Sequence, residues 1–423
     1  MTLASAATGR SFYLNSRSRP PGDGSLQRPW RDLQPLRETR FNPGDHIYFA
    51  CGSRFEGGFA VNQPGTAAAP IVFESYGKGV APRFANPRLE SLDGNAIRLN
   101  GSHIEVRGLF FERCPANPVP ADIHALGAIF LTTNANDCIV RGCEITRTPI
   151  GITVYGERNL ITRNFIHDNN APIEPHWGPI CVVVCSSTNE ISYNRFVNYC
   201  APSKEYGHDG GAIEINDRSL PKEHILIHHN FSLRNQGFIE FVGRVTQDDF
   251  IIHHNVCMDY QSFLGLTGPC SNIRVEHNTV VRTLAHEKDD SEDVVFWNYF
   301  TNTNISFQNN IFVYNAARVD PVFARGEFHH TYNLYFRAGR PRILPQPNEA
   351  AYERKYLGGS AHLREGEIIG DPLFRNLRNG DFHLRPGSPA IDAGTDLHYT
   401  RDFDDLPMPM GKAPDMGAFE FGK

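Results

Sequence analysis

Tryptophan and methionine are scarce in this chain, 3 and 5 among 423 residues. No run of about 18 apolar residues occurs either, which excludes a membrane-spanning helix. A basic surplus is also missing. The net charge of −6 and pI near 6.3 leave no electrostatic footprint for nucleic acid. The start, Met1-Thr2-Leu3-Ala4-Ser5-Ala6-Ala7-Thr8, lacks the basic residues and apolar core of a signal peptide. The expectation is a secreted or periplasmic protein whose signal is absent from this chain, with a cytoplasmic location as the alternative. Nine cysteines are an odd number, and Cys138/Cys143 and Cys181/Cys185 lie too close together for a disulfide framework. No His spacing accompanies them as a zinc site requires, so they are expected to be buried structural thiols.

What is present excludes disorder: 11% aromatic and 21% charged residues, with 29 Phe and 15 Tyr beside 37 Gly and 29 Pro. The middle of the chain repeats an apolar-x-x-Asn pattern followed by an aromatic or branched residue. It occurs at Asn164, Asn194, Asn230, Asn255, Asn278 and Asn310, with a weaker copy at Asn333. Gly108 and Gly142 take the Asn position in two earlier copies. Steps from Gly108 onward are 34, 22, 30, 36, 25, 23, 32 and 23 residues. The short steps define a unit, and the long ones add a loop to it.

A unit of this length with short β runs and a corner Asn predicts one coil of a parallel β-helix. Asn tolerates a left-handed corner, and stacked copies can hydrogen-bond from coil to coil through the amide. A second strand per coil is expected at Ile97–Leu99, Ile129–Leu131, Ile152–Val154, Val182–Val184, Ile213–Ile215, Ile239–Phe241 and Leu264–Leu266. Alternation puts the outer residues of each triplet in the core and aligns the middle ones in an outward column. One continuous domain is expected. Residues 1–95 would form the N-terminal cap and first coils, 96–340 the central coils, and 341–423 the last coil and cap.

Both irregular ends (Phe12 to Gly52, and Asp371 to Phe419) and the Asn ladder resemble the superfamily of bacterial right-handed parallel β-helix proteins that act on polysaccharides. That superfamily includes glycoside hydrolases, pectate, alginate and chondroitin lyases, and non-catalytic surface proteins. The resemblance implies an all-β right-handed solenoid with capped ends and a poly- or oligosaccharide substrate.

Two members of the outward column carry the chemistry. Glu214 and Glu240 lie 26 residues apart, one coil step, each between inward apolar neighbours. Stacked strands hold their Cβ atoms about 5 Å apart, so one carboxyl should be raised and an acid stand beside a base. That spacing suits a retaining glycosidase. The bland alternative is that each Glu pairs with Arg218, Arg244 or Lys222. Tyr206-Gly-His208-Asp209-Gly-Gly precedes Glu214, and its glycines allow close backbone approach to a ligand. The catalytic set is therefore Glu214 and Glu240, supported by Asp217 and His208. Asp209, Tyr206, Arg244, Arg218, Lys204, Trp177 and Phe130 are the candidate substrate-binding residues. Tyr155 and His176 are further candidate ring platforms. Long insertions before Gly142, Asn194, Asn230 and Asn310 would wall the cleft.

The competing chemistry is β-elimination on a uronate. In the chondroitin- and alginate-lyase branch an Asn-Lys-Ser turn follows a Glu strand, and an Arg-His lies on the next coil. Glu214-Ile-Asn-Asp217-Arg218-Ser219 resembles the first element with Arg in place of Lys, and Gly237 to Arg244 lacks the second. In a lyase, Glu214, Asp217 and Glu240 would hold Ca²⁺, and Lys204, Tyr206 or His208 would be the base. Otherwise no cofactor or metal is required. A third reading is a non-catalytic carbohydrate-binding module, for which even coils and a featureless column would speak. The paired histidines His228-His229 and His253-His254 are read as a structural stack, since no carboxylate repeats with them. A monomer is expected.

Overall fold

The structure, a computed structural model, describes residues 9–116, 123–173, 177–204, 206–216, 220–243, 245–284, 286, 294–314, 320–338 and 363–422. It separates into two compact units. The first holds the chain to Arg195 with Ala201–Ser203, and the second Phe196–Cys200 with everything from Lys204 onward.

In the first unit each coil carries three short parallel strands. The predicted triplets Ile97–Leu99 and Ile129–Leu131 pair in sequence with Ile150–Val154 and Ile180–Val184. A second stack runs Ile104–Arg107, Ile139–Arg141, Leu160–Thr162 and Glu190–Ser192. The residues after the corner form a third, Phe110–Glu112, Glu144–Thr146 and Phe165–Asn169, one strand more per coil than the pattern suggests. Phenylalanine fills the axis: Phe55, Phe84 and Phe111 stack at centroid spacings of 5.2 and 5.4 Å. The N-terminal end adds Ser11–Leu14, His46–Ala50 and Ile71–Tyr76, with the helix Gln34–Glu38 burying Leu36.

The second unit repeats the plan. Its first stack runs Gly211–Ile215, Gly237–Phe241, Leu264–Leu266 and Val294–Gln308. The second runs Lys222–His228, Gln247–His253 and Cys270–Glu276, and the third Phe231–Leu233, Val256–Met258, Thr279–Arg282, Ile311–Tyr314 and Leu334–Arg337. Its C-terminal end is an antiparallel pair, Phe374–Asn376 with Asp381–Leu384. Phe374, Phe382, Leu384, Met416 and Phe419 pack there against Ile311, Val313 and Leu334. The architecture is the expected right-handed parallel β-helix. No helix among the described residues is long and apolar enough to cross a membrane.

The asparagine ladder is present in both units. Asn164 donates from its backbone N and its Nδ2 to Asn194 Oδ1, both at 3.0 Å. In the second unit the chain of amides runs Asn230, Asn255, Asn278, Asn310, Asn333, each donating to the next at 2.9–3.0 Å. Glu367 ends it, accepting from Asn333 Nδ2 at 3.0 Å and from Tyr335 Oη at 2.6 Å.

One expectation is corrected. The left-handed residue is not the Asn but the one before it: Arg163, Tyr193, His229, His254, His277, Asn309 and Tyr332 have φ of 48–57°. Gly108 and Gly142, with φ of 65° and 60°, align with that preceding position, and Leu109 and Cys143 with the Asn. Corner and ladder are therefore separate jobs done by adjacent residues. None of the nine cysteines forms a disulfide and seven are buried, as the spacing implied. Burial pushes the Cys138 and Cys143 thiols up to about 12.

Candidate active site

In the second unit, period-2 alternation sends Ile213, Ile215, Ile239 and Phe241 into the core, at most 2% exposed. Glu214 and Glu240 face the other way and stand directly in register on adjacent strands. The next residue in the column is Gly265, which has no side chain to fill the space beside Glu240. Glu214 accepts a hydrogen bond from the Asn216 amide.

The Glu240 carboxyl is raised to about 7, first by burial and then by the negative charge of Asp209. Part of its side chain still reaches solvent, but protein packs densely around the carboxyl and burial remains the larger cause. The second charge is Asp209, where the sequence pointed to the stacked Glu214.

Asp209 ends the short strand Gly207–Asp209, and its Oδ1 accepts from Gly210 N at 2.8 Å. Gly210 turns the chain into the Glu214 strand with φ of 123°, a conformation open to glycine. His208, beside Asp209, lies flat on His286 with ring centroids 3.6 Å apart and 7° between planes. Tyr260 covers the other side of His286 at 3.9 Å. His286 Nε2 sits 3.2 Å from Gln236 Oε1 and 3.4 Å from Cys200 Sγ. The Gly207–Asp209 strand thus joins the carboxylate column to a stack of three rings, and His208 Nδ1 is buried there with no hydrogen-bond partner.

The wall behind this stack is a second polar ladder. Tyr199 N donates to Asn235 Oδ1 at 2.9 Å, and Asn235 N to Asp259 Oδ1 at 2.8 Å. Asp259 is raised to about 6 by burial despite its hydrogen bonds. Sequence reasoning missed His286, Tyr260, Gln236 and this ladder. The 24-residue step from Asn235 to Asp259 is a coil step and was a readable signal. His286 follows no repeat and gave none.

Among the predicted site residues, Glu214, Glu240, Asp209 and His208 come together. Lys204 and Tyr206 lie just before His208 and are exposed, Tyr206 to 52%. Asp217, Arg218, Arg244 and His176 fall outside the described residues. Trp177 and Phe130 belong to the first unit. Trp177 is 38% exposed there, whereas Phe130 is only 8% exposed, with the Arg98 guanidinium 4.9 Å over its ring and Tyr155 at 5.7 Å. Phe130 is therefore packed interior and no open platform. Its column neighbours Thr153 and Val183 are buried too, under Leu126 and Ile173, so from Phe130 to Val183 the outward column is not a solvent face.

The model of the right handed beta helix region matches residues 74–232. No curated protein sequence matches the chain. Two solved structures align over almost the whole length. Pectate lyase Pel9A is 13% identical with a TM-score of 0.62, covering 98% of this chain and 97% of its own. XylC in complex with xylose is 9% identical with a TM-score of 0.57, covering 97% and 99%. At such identities the likeness is one of fold, and it agrees with the coils described above: this chain is a right-handed parallel β-helix.

Proposed function

We propose that the chain is a carbohydrate-active enzyme, a glycoside hydrolase that cleaves a poly- or oligosaccharide with Glu240 as general acid and Glu214 as nucleophile or base. The observation that carries this reading is the in-register Glu pair in which one carboxyl is raised to about 7. A carboxyl that keeps its proton near neutrality can give it to a glycosidic oxygen, while its ionised neighbour attacks the anomeric carbon or activates water. Adjacent strands hold the two side chains about 5 Å apart, the retaining geometry. The Asn216 amide supports Glu214 in its charged form, and Asp209 favours the protonated form of Glu240. His208 and exposed Tyr206, on the segment that leads into the Glu214 strand, would offer donors for sugar hydroxyls beside the pair. The fold alone hosts many chemistries, so the reading rests on the carboxylates and not on the likeness to a pectate lyase or to a xylose-bound protein.

The test is activity of Glu240→Gln and Glu214→Gln on a panel of oligosaccharides, with the anomeric configuration of the product followed by NMR. Loss of at least about 100-fold in kcat for each variant is expected, since general acid–base catalysis alone contributes that much. Full activity in both sinks the proposal.

The second reading is a polysaccharide lyase. It draws on exposed Lys204 and Tyr206, potential bases on the segment that leads into the Glu214 strand, with Glu214, Asp217 and Glu240 as the carboxylates that would take Ca²⁺. Its products carry an unsaturated uronate and absorb in the ultraviolet, and a chelator would abolish its activity; hydrolysis gives neither effect.

A further inference from the structure

A second cluster of chemistry-bearing side chains lies away from the carboxylates, on the corner histidines of the second unit. His228, His253 and Glu276 occupy one column, in register at the ends of three successive strands. A carboxylate thus does follow the histidines, one coil beyond the two His-His pairs. The rings of His228 and His253 are parallel, 4.8 Å apart and 2° from coplanar orientation. His229 turns the corner with φ of 53° and brings its Nδ1 to 2.8 Å from His228 Nδ1. One nitrogen from each of His228, His229 and His253 lies within 4.8 Å of the other two.

The tautomer of His229 follows from its partner. Its Nε2 is 3.0 Å from the Asp402 carbonyl oxygen, which only accepts, so Nε2 carries the hydrogen and Nδ1 the lone pair. An imidazole held by a backbone carbonyl on one nitrogen, with the other turned into a cluster, is the arrangement that orients a metal ligand. Hydrogen bonding alone does not account for the stack. His254 Nε2 and His277 Nδ1, in the adjoining column, are buried without a hydrogen-bond partner.

We propose that His228, His229 and His253 form a site for a late first-row divalent cation of the zinc, nickel or copper class, with Glu276 as the adjoining carboxylate. Imidazole is the ligand these ions share. Metal–nitrogen bonds of about 2.1 Å put two ligand nitrogens about 4.2 Å apart when trans and about 3.4 Å apart in a tetrahedral site, so the widest spacing closes by roughly 0.6 to 1.4 Å. Half-buried His228 can supply that by a small χ rotation. As the ion binds, the hydrogen shared in the His228–His229 contact is replaced by the metal and His228 carries its hydrogen on Nε2 instead, so both imidazoles stay neutral. Glu276 is 2% exposed and accepts from Tyr399 Oη, and Tyr399 packs 4.6 Å from the His253 ring. The ion would therefore tie the second unit's coils to the segment Tyr399–Phe403 that covers them.

The test uses the full chain without a polyhistidine tag, stripped with chelator and titrated with zinc(II) and copper(II) chloride. One equivalent should remain after gel filtration, and the copper(II) form should show nitrogen hyperfine coupling from at least two imidazoles by electron paramagnetic resonance. His228→Gln and His253→Gln should each weaken binding by more than about 100-fold, beyond the usual cost of losing a supporting hydrogen bond. Glu214→Gln should bind as the unaltered chain does. Absence of stoichiometric uptake, or of imidazole coupling in the unaltered chain, overturns the proposal whether or not the variants fold. Unchanged affinity in folded His228→Gln overturns it as well.

Discussion

Glu240 carries two linked consequences. Its carboxyl, ordinarily near 4.5, titrates at about 7 in the folded chain because burial and Asp209 both penalise the charge. In the proposed role as acid, its activity should decline as pH rises through about 7. Asp209→Asn should move that limb to lower pH without abolishing activity, and a pH–rate profile that stays put would sink the assigned cause. For stability the sign is the reverse of a salt-bridged carboxylate. Between about 4.5 and 7 the folded chain holds a proton the unfolded chain would release, so stability falls as pH rises across that window. Glu240→Gln should accordingly stabilise the protein at pH 8, by on the order of 2 kcal/mol in urea unfolding, even as activity disappears. The Glu pair itself was legible, because period-2 alternation and a 26-residue step decide facing and register. That Asp209 supplies the second charge was not, because a turn at Gly210 brings it there.

At the scale of the element, the corner divides its work between neighbours. The residue before each Asn takes the left-handed conformation, and the Asn spends its amide on the next coil. Asn278 shows what a single rung supports. It accepts from Asn255 N, donates to Asn310 Oδ1 and to Ile252 O, and is fully buried. Asn278→Ala leaves several buried groups unpaired and should cost about 2–4 kcal/mol, read as a lower urea midpoint with unchanged slope. A loss under about 0.5 kcal/mol would remove the ladder from the account of stability. The rungs were visible as a repeated letter. The one-residue offset was not, since it follows from which residue lines up with Gly108 and Gly142 across strands.

On the scale of the whole molecule, the ends and the buried titratable groups set tolerance. Gly417 seats the C-terminal segment on the coils with φ of 92°, and a Cβ there would meet Ile311 Cδ1 at 2.7 Å and Thr279 Oγ1 at 2.8 Å. Gly417→Ala should lower stability by on the order of 2 kcal/mol through strain and displaced packing, measurable as a lower Tm. The pH response has two opposing arms. Burial lowers His277 to about 4, so stability rises with pH between about 4 and the ordinary imidazole value of 6.5. Glu240 and Glu420, raised to about 7, and Asp259, raised to about 6, give stability that falls as pH climbs to about 7. Urea midpoints measured from pH 4 to 8 should peak on the acid side of neutrality. A midpoint still rising at pH 8 would contradict these assignments.

Local periodicity by itself determined the coils, the ladder and the facing of Glu214 and Glu240, because a solenoid repeats the same contacts at a fixed step and so writes them into the chain. Tertiary structure alone decided what covers each face. It buried Phe130, stacked His208 on His286, and laid Tyr399 against Glu276 and the His253 ring. Those contacts join residues with no common period, held by loops and ends whose paths depend on packing, and packing leaves no repeat in a sequence.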